Sequence, residues 1–458
     1  MIRRYAFAVF LCTLPLCAQP SPGLDAKISA AVQAAVKKRG VPSVSVAVVR
    51  DGKLAYAGAF GSASLAPRRA ATVETRYAIG SISKQFTAAA LLLLQEEGKL
   101  SLDDKVSKYF PDLTRADQIT LRQLLSHTSG YEDYAPQDYI IPAWTKPVTP
   151  QQILDGWAKK PLNFDPGTRW QYSNTNYVLA AAIFEKVAGR PLAAFLKEKI
   201  FDPLGMQSAG EWPPARPDDA QAYTRYAMGP PRPVQREASG WYSGAAELEM
   251  TPSDLAKWDI AFLQKKILSA KSYEEFTREV KLADGGATRY ALGLMVRDED
   301  GIPAVEHSGE VSGFLASSTM FPSRNGAVIV VSNEDCIGVV EPVSRQIADL
   351  TFGGEPAPAE KLVKEVQAVL EGLQAGRIDR ALFTENANSY FSATALQDCK
   401  ASLGRLGKLE SVAATGENLR GGITHRSYRA QFEKKTLNLN IYVTASGKYE
   451  QFLVEEQL

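Results

Sequence analysis

The chain has 458 residues, 45% of them hydrophobic and 22% charged, and its 52 basic and 51 acidic side chains leave a formal net charge of +1. This composition is that of a globular protein with one large core and room for a second, smaller domain. The sequence has no long basic run that would hold a phosphate backbone, so we expect no nucleic-acid partner.

Residues 1–18 have the pattern of a secretory signal peptide. A pair of arginines is followed by the apolar segment Tyr5–Leu16 and by Ala18, a small residue before a polar break. We predict cleavage after Ala18 and an exported protein, periplasmic or secreted. The apolar segment is too short to span a bilayer, so the mature chain is expected to have no integral membrane segment. Lipid attachment at Cys17 is disfavoured because no small residue directly precedes this cysteine.

Cleavage at this point leaves Cys336 and Cys399 as the cysteines of the mature chain. Whether they pair stays open, and isolated thiols are the simpler expectation. The histidines are His127, His307 and His425, and no Cys-x-x-Cys or His-x-x-x-His spacing occurs. We therefore predict no metal site and no cofactor.

The elements of the first domain, which we place at 25–352, predict an α/β fold of the α+β type. Apolar residues recur at helical spacing over 25–38, and Val44–Val49 and Leu54–Phe60 flank an Asp-Gly turn and predict a β-hairpin. A long middle section is predicted to be helical and rich in loops. Four strand-like segments and one helix-like segment follow: Tyr290–Val296, Ala304–His307, Leu315–Phe321, Ala327–Ser332 and 338–352. The expected architecture is an antiparallel sheet, built from both ends of the domain and flanked by helices, with a helical insertion.

A linker rich in glycine, proline and alanine is predicted at 353–359, and it separates a small α+β domain at 360–458. This second domain is predicted to contain a helix at 360–374 and three antiparallel strands: Ser427–Phe432, Leu437–Tyr442 and Tyr449–Val454. Its outline is similar to the cone-shaped nuclear-transport-factor-like fold, and it shows no catalytic residues. Whether it is a lid, a dimerisation surface or a passive appendage stays open, as does the oligomeric state.

The first chemical motif is Ser-Ile-Ser-Lys, from Ser81 to Lys84, between the strand-like Tyr77–Gly80 and the apolar helix Ser83–Glu97. A serine at a helix N-terminus meets a positive dipole end and free backbone amides. A lysine three residues later lies on the same helix face, and in a desolvated site its pKa falls far enough for it to accept a proton. The alternative is an ordinary helix cap beside a surface lysine.

The second motif is Tyr-Ser-Asn, in which Tyr172 and Asn174 leave a turn before the helix Tyr177–Val187. A phenol and an amide two residues apart on a rigid turn are able to point into one cleft. The phenol would exchange a proton with Ser81, and the amide would bind a substrate carbonyl or Lys84. The structural alternative is that the tyrosine packs and the asparagine caps the helix.

The third motif is His-Ser-Gly, from His307 to Gly309, followed by Glu310. A glycine in this strand lets a substrate lie along the strand edge. The backbone amides of Glu310 and Ser81 would then form an oxyanion hole. A lone histidine is more often structural, so His307 gains weight from its place in the ordered set of motifs.

The ordered motifs resemble those of the serine β-lactamase and penicillin-binding-protein superfamily, in the class C-like branch that includes esterases and D-amino-acid peptidases. The segments Leu124–Gly130, Pro203–Met206 and Tyr290–Leu294 also match that branch, and the resemblance covers about residues 25–352. It implies a β-lactamase/transpeptidase-like fold and a covalent acyl-serine intermediate. The roles that it implies are the nucleophile for Ser81, the general-base system for Lys84 and Tyr172, and substrate contacts for Asn174, His307 and Gly309.

One departure concerns the third motif. True class C β-lactamases have Lys-Thr-Gly where this chain has His-Ser-Gly at 307–309, and a histidine is mostly neutral at pH 7 whereas a lysine is a permanent cation. His-x-Gly resembles the third motif of esterases and D-aminopeptidases more. His127, by contrast, is expected to hold its loop together. Two loops, Tyr131–Trp144 and Trp212–Pro233, are expected to wall the cleft.

The sequence therefore predicts a serine hydrolase that cleaves an ester or a D-amino-acid amide or peptide through an acyl-enzyme on Ser81. Its partner would be a small-molecule or peptide substrate. A β-lactamase is the alternative among enzymes. A catalytically silent ligand-binding or peptidoglycan-sensing module is the alternative from another class.

Overall fold

The computed structural model describes residues 22–137, 140–213, 215–226, 229–299, 302–335, 338–352, 358–420, 423–444 and 446–456. The chain divides into two compact units, Met1–Gly353 and Gly354–Leu458. The predicted signal peptide, most of the predicted linker and Cys336 lie outside the described residues.

In chain order, the strands described in the first unit are β1 (Ser43–Arg50), β2 (Lys53–Leu65), β3 (Arg68–Ala70), β4 (Tyr77–Ala78), β5 (Gly210–Glu211), β6 (Tyr223–Thr224), β7 (Arg232–Pro233), β8 (Leu248–Met250), β9 (Met295–Glu299), β10 (Ile302–Val311), β11 (Phe314–Phe321) and β12 (Gly326–Ser332). The unit is built around a seven-stranded antiparallel sheet in the order β3-β2-β1-β12-β11-β10-β9. The large sheet takes its strands from both ends of the unit, which confirms the predicted fold class.

Helices fill the section between the two halves of the sheet and cover its faces. Those described are α1 (Pro22–Arg39), α2 (Ser83–Glu96), α3 (Leu121–Leu125), α4 (Pro150–Ile153), α5 (Asn174–Ala188), α6 (Leu192–Leu196), α7 (Asp202–Leu204), α8 (Pro252–Leu263), α9 (Ala270–Thr277) and α10 (Val340–Phe352). Side-chain caps start several of them, such as the Thr120 hydroxyl that accepts from the Gln123 amide at α3. In the part of the chain that the structure describes, every helix is too short or too polar to cross a membrane.

The central strands β1 and β12 are buried on both faces, and their alternation divides the core of the unit into two layers. Val46 of β1 pairs with Val330 of β12, and both face the layer under α1 and α10. Their neighbours Ala47 and Ile329 are also paired, and they face the larger core that contains α2, α5 and α8. Period-two alternation with apolar residues on both sides is what a strand covered by helices on both faces requires.

The predicted strand Tyr290–Val296 is wrong over most of its length. The strand is Met295–Glu299, and the preceding residues form a turn in which the Ala291 amide donates to the Leu294 carbonyl. Gly293 has φ +73 in this turn, a conformation that interrupts a strand and favours glycine. A Cβ at Gly293 would lie 2.9 Å from the Lys84 carbonyl oxygen, so the turn packs directly on helix α2.

The second unit contains one four-stranded antiparallel sheet in sequential order and the helices α11 (Pro358–Gln374), α12 (Glu385–Tyr390) and α13 (Ala393–Leu403). Its strands are β13 (Leu409–Arg420), β14 (Ile423–Phe432), β15 (Thr436–Val443) and β16 (Tyr449–Glu456). Alternate residues of β15 are buried against α11 and its neighbours, and half-buried Cys399 packs against the same core. The likeness to a nuclear-transport-factor cone stays a prediction.

A carboxyl group is buried in the core of the first unit. Asp259 of α8 is 0% exposed. Its Oδ2 accepts a hydrogen bond of 2.8 Å from the Ser318 hydroxyl, while its Oδ1 has no hydrogen-bond partner among the described residues. Burial raises the pKa of Asp259 to about 7, because the charged form loses its hydration.

We expect the stability of the first unit to fall as pH rises through this range. The pKa of Asp259 in the folded state lies above the ordinary value of 3.8, so the folded state binds the proton more tightly than the unfolded state. The stability that this proton contributes is therefore lost as the pH rises from about 4 to about 7. The Asp259→Asn side chain cannot ionise, so its stability does not depend on this proton. Between pH 4 and pH 8, the difference in unfolding free energy between Asp259→Asn and the parent should shift in favour of the variant by up to about 4 kcal/mol, at 1.36 kcal/mol per pKa unit.

Urea unfolding followed by tryptophan fluorescence measures this effect, because all six tryptophans lie in the first unit. Asp117→Asn, at an exposed position, is the matched control. A free-energy difference between Asp259→Asn and the parent that stays constant across the pH range would show that Asp259 ionises normally in the folded protein.

Candidate active site

Ser81 lies in a short 3-10 turn, Gly80–Ile82, between β4 and helix α2, and its side chain is partly exposed. The turn is in backbone contact with β10. A Cβ on Gly80, which has φ +52, would lie 2.6 Å from the Glu310 amide nitrogen, and one on Gly309 would collide with the Ile79 carbonyl. Glycine at both positions therefore lets the two segments touch, and the amides of Ser81 and Glu310 lie at the same seam.

Lys84 is completely buried directly beside Ser81. Its Nζ donates to Ser81 Oγ at 3.0 Å, to Asn174 Oδ1 at 2.8 Å and to the Ala245 carbonyl at 2.9 Å. Burial lowers the pKa of Lys84 to about 7, and the charge of Asp133 partly opposes this effect. A lysine with this pKa is available as a neutral amine near pH 7, which an ordinary surface lysine is not.

Tyr172 lies beside this pair, with its ring centroid 4.8 Å from Lys84 Nζ. Burial raises the pKa of the phenol well above its ordinary value, and a hydrogen bond with Ser81 partly opposes the rise. The phenol is therefore protonated at neutral pH and touches the serine hydroxyl. Such a group is able to pass a proton on without carrying a charge in the resting state.

His127 fixes the position of Tyr172. Its carbonyl accepts from the Gln171 amide at 3.0 Å, and its Nδ1 accepts from the Ser173 amide at 3.2 Å. The ring centroids of His127 and Tyr172 are 4.3 Å apart. Since Nδ1 accepts, the proton of the neutral ring is on Nε2. His127 thus holds the backbone on both sides of Tyr172. It supports its loop, as expected, and it also contacts a residue of the candidate site directly.

Asn174, the first residue of α5, is held by Asp133. The Asn174 backbone amide donates to Asp133 Oδ1 at 2.9 Å, and its side-chain amide lies 3.3 Å from both carboxylate oxygens. This contact directs Asn174 Oδ1 at Lys84. Sequence reasoning missed Asp133, because nothing in an aperiodic loop indicates a contact with a residue 41 positions away.

His307 lies on β10 and lines the cavity, but both of its ring nitrogens are engaged. Nδ1 donates to the Ser308 carbonyl at 2.5 Å, and Nε2 therefore accepts from the Tyr290 hydroxyl at 2.8 Å. Burial lowers the pKa of His307 to about 3, and the charge of Lys84 contributes to the decrease. The ring is neutral at physiological pH, so the third motif offers no cation to a substrate carboxylate.

These residues open into a cavity of about 610 Å³. Its wall includes Ser81, Tyr172, Asn174 and His307, the aromatic residues Trp144, Trp170 and Tyr242, and the acidic residues Asp133, Glu237 and Glu310. Lysine and arginine are absent from the described residues that line it. The site is thus an acidic, aromatic-walled cleft.

The two loops predicted to wall the cleft differ in outcome. Residues of Tyr131–Trp144 line the cavity as predicted. The described part of Trp212–Pro233 does not, and several of its residues line a separate cavity of about 580 Å³. The later segment 237–246 takes that place in the wall, with Glu237, Tyr242 and Ala246. Within the described chain, no group of histidine, cysteine and acidic side chains is arranged to hold a metal ion.

The model of the Beta-lactamase family matches residues 28–348. The chain belongs to this family. It is 29% identical over 350 residues to penicillin-binding protein 4* of Bacillus subtilis, a match that covers 71% of this chain and 77% of the relative. The recognised resemblance is therefore confirmed, and the chain is a serine hydrolase of the β-lactamase-related group.

Solved structures agree with this assignment. A D-stereospecific amidohydrolase from Streptomyces sp. has 28% identity and a TM-score of 0.62, with 72% of this chain and 99% of that chain covered. The octameric penicillin-binding protein homologue from Pyrococcus abyssi has a TM-score of 0.65, and the match covers 93% of this chain and 94% of that chain. At 23% identity the second match shows the fold alone.

The Lys84 environment generates a prediction for the pH dependence of Ser81 reactivity. The amine accepts the serine proton only when it is neutral, so the rate of Ser81 labelling by a fluorophosphonate should rise with pH through about 7 and then level. Asp133→Asn removes the charge that raises the Lys84 pKa, and the midpoint should move to lower pH. Glu132→Gln is the control, since Glu132 pairs with Lys160 at the surface. A midpoint that stays constant or moves to higher pH in Asp133→Asn would contradict the assignment of Lys84 as the titrating base.

Proposed function

We propose that the chain hydrolyses esters and D-amino-acid amides or peptides through an acyl-enzyme on Ser81. The observation that carries the proposal is the buried contact of Lys84 Nζ with Ser81 Oγ at 3.0 Å, combined with a Lys84 pKa of about 7. A base that is part-neutral at working pH, in hydrogen-bond reach of a hydroxyl, is the requirement for nucleophilic activation.

In the proposed acylation step, Ser81 Oγ forms a bond to the substrate carbonyl carbon while its proton moves to Lys84 Nζ. The carbonyl oxygen becomes an oxyanion, and the amides of Ser81 and Glu310 donate to it. Tyr172 then supplies a proton to the leaving amine or alkoxide as the bond to the carbonyl carbon breaks, and Lys84 restores the proton to Tyr172. In the second half of the reaction, water attacks the acyl carbon and gives a proton to the unit formed by Tyr172 and Lys84. That unit returns a proton to Ser81 Oγ as its bond to the acyl carbon breaks, which releases the acid and regenerates Ser81.

Substrate contacts are proposed for Asn174, His307 and Gly309. The Asn174 amide lies at the cavity wall between Lys84 and Asp133, where its NH₂ group is directed by the carboxylate. Gly309 packs against the Ile79 carbonyl and is not among the described residues that line the cavity, so its proposed substrate contact would be made by its backbone. D-Amino-acid amides are favoured because the amidohydrolase that resembles this chain is D-stereospecific.

Two alternatives differ in what the site offers. A β-lactamase needs a cation for the substrate carboxylate, and His307 is neutral with both nitrogens engaged. A catalytically silent binding module needs no activated nucleophile, whereas here Ser81, Lys84 and Tyr172 are all in contact.

The proposal is tested with four substrates: the p-nitroanilides of D-alanine and L-alanine, p-nitrophenyl butyrate and a chromogenic cephalosporin. We expect turnover of the ester and the D-amide, with kcat/KM for the cephalosporin lower by about tenfold or more, the equivalent of about 1.4 kcal/mol. Ser81→Ala should abolish labelling and turnover, and Ser107→Ala, outside the cavity wall, should not. Labelling of Ser81 without turnover of any substrate would indicate a silent module, and a kcat/KM that is highest for the cephalosporin would indicate a β-lactamase.

We also propose that residues 25–352 are the complete hydrolase domain and that 360–458 is an accessory domain on a linker at 353–359. The division of the chain into two compact units supports this proposal, and every proposed catalytic group lies in the first. Export to the periplasm or medium is proposed from the signal pattern at 1–18.

A protein that ends at Phe352 should fold and label at Ser81 with a rate within a few-fold of the full chain. A folded but unlabelled truncation would show that the second unit completes the site.

A further inference from the structure

One acidic side chain in the cavity wall has no part in the proposed acyl transfer. Glu237 is 2% exposed and lines the cavity. Its Oε1 accepts three hydrogen bonds, from the Tyr242 hydroxyl at 2.7 Å, the Ser312 amide at 3.2 Å and the Ser312 hydroxyl at 2.5 Å. Its Oε2 is buried and has no hydrogen-bond partner among the described residues.

The two carboxyl oxygens of Glu237 differ in their hydrogen bonding, and this difference fixes the orientation of the group. Three donors on Oε1 hold the carboxyl group in one orientation, so the position of Oε2 is fixed before any ligand arrives. A buried acceptor without a partner is destabilising, and such atoms are rare unless a ligand or an ordered water satisfies them. Because Glu237 lines the cavity, its Oε2 is a preoriented acceptor in the cavity wall.

The charges around Glu237 favour a cationic donor. Asp335 lies close enough for Glu237 to contribute to its raised pKa, although burial is the larger cause. The neighbouring Arg236 contacts the rings of Trp212 and Phe314 and pairs with Glu249, so its charge is shared with another carboxylate, and it opposes only part of the acidic field by lowering the pKa of Tyr242. A positively charged donor would thus gain both a charge-assisted hydrogen bond and the local field.

The position of Glu237 indicates which part of a substrate would reach it. It is bonded to Ser312, two residues beyond Glu310, whose amide belongs to the proposed oxyanion hole. Ser312 lies in the turn between β10 and β11, and two residues of chain span at most about 7 Å. A group bound at Glu237 therefore lies beside this turn and not at the oxyanion amide itself, which favours an ammonium several bonds from the scissile carbonyl over the α-amino group of the acyl residue.

We propose that Glu237 is a cation-binding subsite of the cavity and that it selects acyl groups with an ammonium several bonds from the scissile carbonyl. This inference rests on the proposed hydrolase function. Two sources of the ammonium fit the distance: a basic side chain, as in D-lysine or D-ornithine, or the free amino terminus of a residue that precedes the cleaved one.

Two matched substrate pairs separate these sources. D-Lysine and D-norleucine p-nitroanilides differ in the side-chain ammonium, and glycyl-D-alanine and N-acetyl-D-alanine p-nitroanilides differ in the amino terminus. We expect the charged member of at least one pair to have the higher kcat/KM by about tenfold, which corresponds to about 1.4 kcal/mol. Glu237→Gln keeps the shape but not the charge, and it should reduce that ratio to near one. Glu132→Gln, a surface carboxylate paired with Lys160, should leave the ratio unchanged.

Three readouts keep the result unambiguous. Labelling of Ser81 by a fluorophosphonate shows that each variant is folded, and if Glu237→Gln fails to label, Glu237→Asp should retain part of the ratio and Tyr242→Phe should lower it. Calorimetric binding of n-butylammonium to Ser81→Ala, and its loss in Ser81→Ala with Glu237→Gln, tests the subsite without turnover. Equal kcat/KM within both pairs, or a preference that survives in Glu237→Gln, would overturn the proposal and leave a bound water as the partner of Oε2. An unreactive Ser81 in the parent would instead contradict the proposed hydrolase function.

Discussion

The site depends on the burial of one ammonium group. Lys84 is enclosed by the apolar helix α2 and by the segments that carry Asn174 and Ala245, and its three contacts account for its three possible donors. Desolvation lowers its pKa to about 7, so the cost of burying the charge is also what turns the lysine into a base. Asp133 limits the decrease and at the same time orients Asn174.

The remaining geometry follows from how closely two backbone segments approach. The turn that carries Ser81 touches β10 because Gly80 and Gly309 have no side chains at the point of contact. A larger residue at either position would separate the amides of Ser81 and Glu310. The nucleophile and the strand edge are therefore coupled through packing, and a change at Gly309 would affect the oxyanion contacts without touching the serine hydroxyl.

The sequence predicts the parts of this site that are local. A spacing of three residues across the start of helix α2 is enough to predict that Ser81 lies beside Lys84, and alternation is enough to predict the strands β1 and β12. Long-range pairs leave no such signal. Asp133 reaches Asn174, and Glu237 reaches Ser312, through loops whose course depends on tertiary packing. The failure at Tyr290–Val296 has a similar cause, since an apolar alternating stretch conceals the turn that Gly293 makes against α2.

The electrostatic character of the cleft differs from what a carboxylate-binding hydrolase requires. His307 is a neutral imidazole whose two nitrogens are already bonded, so an anionic substrate group finds no cation among the described residues of β10 that line the cavity. In the same cavity wall, Glu237 has a fixed carboxylate oxygen, Oε2, that has no hydrogen-bond partner among the described residues. The neutral third motif and the carboxyl group beyond it act in the same direction. Together they disfavour anionic substrate groups beside the scissile bond, and they are the physical basis of the cation-binding subsite that we propose at a distance from it.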